Sequence, residues 1–240
     1  MTYRIINSRN IVGNILSLDE ELKGVYKLTT FYGTNAFYNV TSSNNKIYYN
    51  VDGTDASATL TEGAYTSTTL ASEIAENLGV NIIGINETFL VTYGTETGKY
   101  QITTEDDNAL FYFTFGTNTT NSARKLLGFN EEDGTAGSSV ESDNVISLSP
   151  HPVIYMNIKE DYNKKIRGQN HFSASLMLWD TSSLFGEAFR MNLHDNAYNS
   201  QFVKFNGNKQ LQISFYNDNY KEVSFNGTNW VLILQHISLD

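Results

Sequence analysis

The sequence predicts a mainly β protein, a single jelly-roll β-sandwich with an inserted small α+β domain, on three observations. Composition is the first: 240 residues with 13% aromatics, many Thr and Asn and two Pro. These suit strands joined by polar turns, because β-branched and aromatic side chains fit a pleated, half-buried surface. The second is that strand-like segments lie towards both ends of the chain, parted by a middle stretch of different character. The third is one plainly written helix inside that middle stretch.

Residues 1–24 mix single apolar residues with Asn, Ser and Asp without a sustained period, and are expected to form an extended N-terminal arm of the kind that binds a neighbour. From Val25 to Val51 the text VYKLTTFYGTNAFYNVTSSNNKIYYNV reads as three strands. They break at Gly33-Thr34-Asn35 and at Ser43-Asn44-Asn45, where Gly and Asn tolerate turn conformations.

The helix lies in TEGAYTSTTLASEIAENLG, residues 61–79. Ser67 or Thr68 can cap its start, Leu70, Ile74 and Leu78 repeat every four residues, Ala71 and Ala75 widen the stripe, and Gly79 stands where a left-handed C-cap belongs. Its apolar face needs a sheet, and FLVTYGTETGKYQITT, residues 89–104, supplies a hairpin. Phe89, Val91 and Tyr93 alternate on one arm and Tyr100 and Ile102 on the other, with Gly94 to Gly98 as the loop. A further strand is expected at 109–116, then a single helical turn capped by Asn121 or Ser122 and ended by Gly128, against which Phe129 packs.

Residues 130–147, acidic and rich in Gly and Ser, read as a surface loop or linker. Five more strands follow at 153–158, 171–178, 202–205, 209–216 and 230–237, separated by segments containing Asn, Asp and Gly. Together with the three early strands they make the eight of a two-sheet jelly roll. Two domains in series would leave the early strands with open edges. The expected organisation is therefore an arm at 1–24, a jelly roll made of 25–54 plus 146–240, and an inserted α+β domain at 55–145.

The net charge of -10 argues against a protein that neutralises phosphates, so nucleic acid is not an expected partner. With no Cys there are no disulfides, thiolates or cysteine metal sites. The N-terminal residues have no long apolar run behind a basic segment, which predicts neither a secretory signal nor a membrane span but a soluble chain made in a cytosol. On that expectation the Asn-x-Ser/Thr triplets at Asn39 and Asn226 read as chance rather than glycosylation sites.

Candidate chemistry is sparse. His151, His171, His194 and His236 show no metal-ligand spacing, and His194-Asp195 lacks an accompanying nucleophile motif. Glu105-Asp106-Asp107 and Glu131-Glu132-Asp133 have the hard oxygen donors calcium wants but match no ligand spacing, so they read as solvated turns. Arg124-Lys125 reads as the solvent side of a short helix. The glycines are turn singletons rather than a phosphate loop. A paired-carboxylate glycosidase is a matter of folded separation, which sequence spacing does not give. Catalytic residues, cofactors and metals are thus assigned to none. Of the two Trp residues, Trp230 opens an apolar run and reads as core, which leaves Trp179 as the candidate contact for a glycan or partner.

Five phrases in succession carry a family resemblance: Asn7-Ser8-Arg9-Asn10; Tyr38-Asn39-Val40 followed by Asn44-Asn45-Lys46-Ile47-Tyr48; Glu62-Gly63-Ala64-Tyr65-Thr66; Ala123-Arg124-Lys125-Leu126-Leu127-Gly128-Phe129; and Phe225-Asn226-Gly227-Thr228-Asn229-Trp230. Their order resembles the penton or minor capsid proteins of icosahedral DNA viruses with double-jelly-roll major coat proteins: virophages, Polinton-like viruses and nucleocytoplasmic large DNA viruses. The resemblance implies a virion structural protein and not an enzyme, a single jelly roll assembling as a homopentamer at capsid vertices beside the major capsid protein, inside the host cell. A receptor- or glycan-binding module of a viral spike or fibre is the alternative.

Overall fold

The computed structural model describes residues 2–12, 15–79, 87–105, 109–148, 154–160, 174–177, 185–192, 202–217 and 222–237. The chain divides into two units, Met1–Phe37 with His151–Asp240 and Tyr38–Pro150. In chain order, unit 1 begins with β1 (Tyr3–Asn7), β2 (Ile11–Val12) and β3 (Ile15–Thr34). Unit 2 holds β4 (Lys46–Val51), β5 (Thr54–Thr59), α1 (Ser67–Leu78), β6 (Phe89–Gly94), β7 (Lys99–Thr104), β8 (Phe111–Phe113), α2 (Arg124–Leu127) and β9 (Ser139–Glu141). Unit 1 resumes with β10 (Ile154–Glu160), β11 (Ala174–Met177), β12 (Ala188–Asn192), β13 (Phe202–Asn217) and β14 (Val231–Ile237). The protein is mainly β, as the composition predicts, and among the described residues these strands pair with one another antiparallel.

Unit 1 closes across the two ends of the chain. Its strands run in the order β1-β14-β3-β13-β10-β11, with β2 and β12 also on β3. The long β3 meets β14 through Val25 to Tyr32 and β13 through Ile15 to Lys27. β13 in turn passes to β10 through Leu211 to Asn217. Long strands that change partners need irregularities, and both have them. Register shifts fall at Asn206 to Gln210 of β13 and at Thr29 of β3, where the Thr29 hydroxyl donates to the Ile233 carbonyl at 3.0 Å. Gly24, at φ +110, lies opposite Phe205, and a Cβ there would stand 2.7 Å from the His236 ring nitrogen. Only glycine fits both the backbone and the ring.

The core of unit 1 is aromatic. Phe31 is fully buried among Phe189, Phe215, Phe225 and Trp230, with ring centroids 5.8 to 6.1 Å away. Leu28, Met156, Ile213, Leu232 and Leu234 complete the layer. Each such side chain removed from water contributes about 1.5–3 kcal/mol. Trp230 is core, as its apolar context predicts.

Residues 1–24 do not form a free arm. β1 pairs residue for residue with β14, from Tyr3 with Gln235 to Asn7 with Val231, and Leu16 and Leu22 of β3 are buried in the core. The alternation of Leu16 and Leu18 is broken by Asp19-Glu20-Glu21, which hides the strand from a periodicity reading. The strand expected at 36–42 is also absent. There the Asn39 side chain replaces a ladder, donating to the Tyr65 carbonyl at 2.7 Å while accepting from the Tyr65 amide at 2.9 Å. β4 pairs with β5 and β8, so the division before the middle unit falls at Tyr38, earlier than residue 55, and the one after it at Pro150. Residues 130–147 are likewise built into unit 2: β9 lies on β7, and the Asp133 carboxylate accepts from the Gly116 and Thr117 amides at 2.9 Å.

In unit 2, α1 buries Leu70, Ala71, Ile74 and Leu78, the predicted stripe, in one core with Phe89, Tyr100 and Ile102 of the predicted hairpin. Its N-cap is Thr66, one residue before the expected Ser67, because Thr66 and Thr69 exchange side-chain-to-backbone bonds as a capping box. Gly79 ends it in a right-handed conformation, φ -77, rather than the expected left-handed one. Gly128 does close α2 left-handed, φ 79, and a Cβ there would overlap the Asn144 carbonyl. Ala123, rather than Asn121 or Ser122, is its N-cap.

Candidate functional site

Among the described residues, those with catalytic or ligating potential are not brought together. Trp179, His151, His171, His194, Asp195, Asp106 and Asp107 lie outside the described residues. His236 is half-buried on β14, edge-on to Tyr26 with ring centroids 5.0 Å apart, in a packing role. Glu131 pairs with Arg124 of α2, so Arg124 is anchored rather than simply solvent-facing. The Thr117 hydroxyl and amide, with the Gly116 amide, hold the Asp133 carboxyl below the usual carboxylate range, which makes it a loop tie. Among the described residues no group of His, Asp and Glu is placed to hold a metal ion, and no helix is long and apolar enough to cross a membrane.

Two buried tyrosines have shifted ionisation, and both are structural. Tyr100 donates to the Ser67 carbonyl at 2.7 Å and Tyr49 to the Leu78 carbonyl, so the two phenols grip opposite ends of α1 from the strands beneath. Burial penalises the phenolate: Tyr49 is pushed up to about 12 and Tyr100 is raised further. Neither phenol is poised for proton transfer near neutrality.

Among the described residues the unit 1 strand path ends at β1 on one side and at β11 on the other. β1 is the outermost strand of the unit 1 path, and among the described residues no strand pairs its other side. It is held firmly from within. Beyond the β14 ladder, the Ser8 amide donates to the Trp230 carbonyl at 3.0 Å, the Trp230 amide to the Ser8 hydroxyl at 2.9 Å and the His236 amide to the Thr2 carbonyl at 2.9 Å. Arg4 forms an ion pair with Glu20 of β3. Ile5, 70% exposed, points away from this framework. The Asn7-Ser8-Arg9-Asn10 phrase thus belongs to a strand end and a short 3-10 turn that fastens the edge, with the Arg9 amide donating to the Asn7 side chain at 3.0 Å. Sequence reading missed this edge because five residues with two adjacent Ile show too little alternation to mark a strand.

No protein-family model matches the chain, and no curated protein matches it. Seven solved chains do match. One is the crystal structure of selenomethionine-labelled mavirus penton protein, at 11% identity and a TM-score of 0.50, with 98% of each chain covered. At that identity the likeness is one of fold, and it spans both units. It is consistent with a jelly-roll β-sandwich, in agreement with the mainly antiparallel architecture.

Proposed function

We propose that this chain is a virion structural protein, a penton-type or minor capsid subunit that self-associates and docks to a major coat protein. The observation that supports the reading is the end-to-end fold likeness to mavirus penton protein, which covers unit 1 and unit 2 alike. A β scaffold whose first strand is fastened at both ends suits the role, because repeated contacts with identical neighbours require edges that do not move. On this reading unit 1 is the jelly roll of the subunit, unit 2 is its inserted α+β domain, and the working form is a homopentamer at capsid vertices, assembled inside the host cell. The role is structural, and no cofactor belongs to it.

The test is labelling of purified particles of the source virus with a monoclonal binder raised against the folded chain. Label confined to the fivefold vertices is the expected result. A chain absent from particles overturns the reading.

A further inference from the structure

We propose that copies of this chain contact one another head to tail, a lysine-bearing outer face of unit 1 docking on the acidic unit 2 of the next copy. This rests on the self-association in the reading above and names the two surfaces that carry it.

The lysine face is set by the β3–β13 ladder. On β3, Leu22, Tyr26 and Leu28 turn into the core, so Lys23, Val25 and Lys27 turn outward; on β13, Val203 and Phe205 turn inward, so Lys204 turns outward. Lys204 stands directly opposite Val25. Lys23 and Lys27 are therefore its two diagonal neighbours on that face, roughly 7–8 Å away. Lys23 and Lys204 are exposed and Lys27 is half-buried. Like charges so placed repel one another. Among the described residues none of the three has an ion-pair partner, the pairs there being Arg4 with Glu20, Lys99 with Glu141 and Arg124 with Glu131. Glu21 lies on the same face, two residues before Lys23, and makes no ion pair with it. Three unneutralised lysines on adjacent strands of a chain with net charge -10 break the local rule, and such a cost is kept where another molecule relieves it.

The chain carries the complementary charge itself. Unit 1 contains 12 Lys and Arg against 11 Asp and Glu, whereas unit 2 contains 4 against 15. Of the four cations in unit 2, Lys99 and Arg124 are in ion pairs and Lys46 donates to the Thr59 hydroxyl at 2.5 Å. α1 has no Lys or Arg, and Glu73 and the exposed Glu76 stand in its C-terminal half, where the helix dipole is already negative. The Thr61 amide donates to Glu73 at 2.7 Å, which brings the exposed Glu62 alongside. Each surface is unfavourable alone, and the two relieve one another. Two copies of unit 2 repel, whereas unit 1 against unit 2 sets opposite charges together. A head-to-tail contact uses two different patches, so each copy offers one and receives one, and it closes into a ring of the kind a homopentamer needs. This commits the lysine face to a second copy.

The experiment follows assembly of the full chain by sedimentation velocity across concentration, at about 0.05 and 0.5 M salt, where screening differs severalfold. The unmodified chain is compared with Lys23→Glu/Lys204→Glu, with Glu62→Lys/Glu76→Lys, and with the control Lys125→Glu, at an exposed lysine of unit 2. The expected result is that each double variant weakens assembly about tenfold or more, that Lys125→Glu changes it less than about twofold, and that assembly of the unmodified chain weakens with salt. Mixing the two double variants supplies the second readout and guards against misfolding: each keeps the face the other has lost, so the mixture assembles although neither does alone. If the unmodified chain assembles but Lys23→Glu/Lys204→Glu assembles equally well, or salt strengthens assembly, or Lys125→Glu is as disruptive, or the mixture fails to assemble, the head-to-tail contact is overturned while the capsid reading stands. A lysine variant that assembles normally but has lost retention on a heparin column assigns the face to a polyanion, and overturns the contact likewise. An unmodified chain that stays monomeric at every concentration and salt overturns both the contact and the self-association it rests on.

Discussion

Unit 1 and unit 2 solve the problem of burying a sheet face in opposite ways. Unit 2 is continuous in sequence and gathers its core from neighbouring segments, a hairpin and the helix that precedes it, with phenols clamping both helix ends. Unit 1 is made from the two ends of the chain, and its central ladder joins β3 to β13 and β14 across the whole of unit 2. Contacts so distant in sequence bear a loop-closure entropy that local ones do not. The contrast teaches where each unit is vulnerable: unit 1 depends on a few large aromatic contacts between distant strands, and unit 2 on local capping and backbone conformation.

The contrast breaks hardest at Phe31. Phe31→Ala empties the centre of an aromatic cluster contributed by β3, β12, β13 and the segment before β14, and is expected to destabilise unit 1 by about 3–5 kcal/mol. Denaturant-dependent hydrogen exchange of the β3 and β14 peptides measures it. Gly128→Ala is the matching blow to unit 2. It forces an alanine into a left-handed conformation against the Asn144 carbonyl, and a loss of about 2–3 kcal/mol is expected in exchange of the peptides around α2.

Alkaline titration sharpens the comparison further. Burial favours the neutral Tyr49 phenol, so the folded unit keeps its proton to higher pH than the unfolded chain does. The stabilisation is whole below pH 10 and is lost as pH rises through about 12, an effect on the order of 2 kcal/mol on unit 2. Tyr49→Phe removes the Tyr49 share of that pH dependence and leaves that of Tyr100, as read from thermal melts followed by exchange of the α1 peptides. Tyr100→Phe, which at neutral pH deletes the bond to Ser67, is expected to cost about 1 kcal/mol there in the same peptides. Trp179→Ala, at the residue proposed as a glycan or partner contact, is expected to abolish binding on a glycan array.

What could be read in advance follows the same division. In unit 2, α1 and the β6–β7 hairpin were visible because each carries its own period: Leu70, Ile74 and Leu78 at helical spacing, Phe89, Val91 and Tyr93 alternating, and Gly128 stopping a turn. In unit 1 the late strands were visible, but β3 was halved by Asp19-Glu20-Glu21, β13 was split in two at Gly207, and β12 showed no alternation long enough to register. Val40 and Tyr48 looked like parts of a strand pair for unit 1. A side-chain ladder from Asn39 and the pairing of β4 with β8 instead placed both in unit 2, and neither contact has a local signature. The β1 edge was hidden for the same reason, since its partner is more than two hundred residues away. Trp179, the one candidate contact residue, lies outside the described residues.

The central claim is that residues 15–34, 202–217 and 231–237 fold as one unit, and that the sequence between residues 38 and 150 forms another with its own core. Native-state hydrogen exchange in rising denaturant, followed by mass spectrometry, tests it most directly. The β3, β13 and β14 peptides are expected to open together with one free energy and one denaturant slope, different from those of the α1, β6 and β7 peptides. If β3 opens with α1 and the hairpin while β13 and β14 open separately, the two chain ends do not form a common sheet and the account is contradicted.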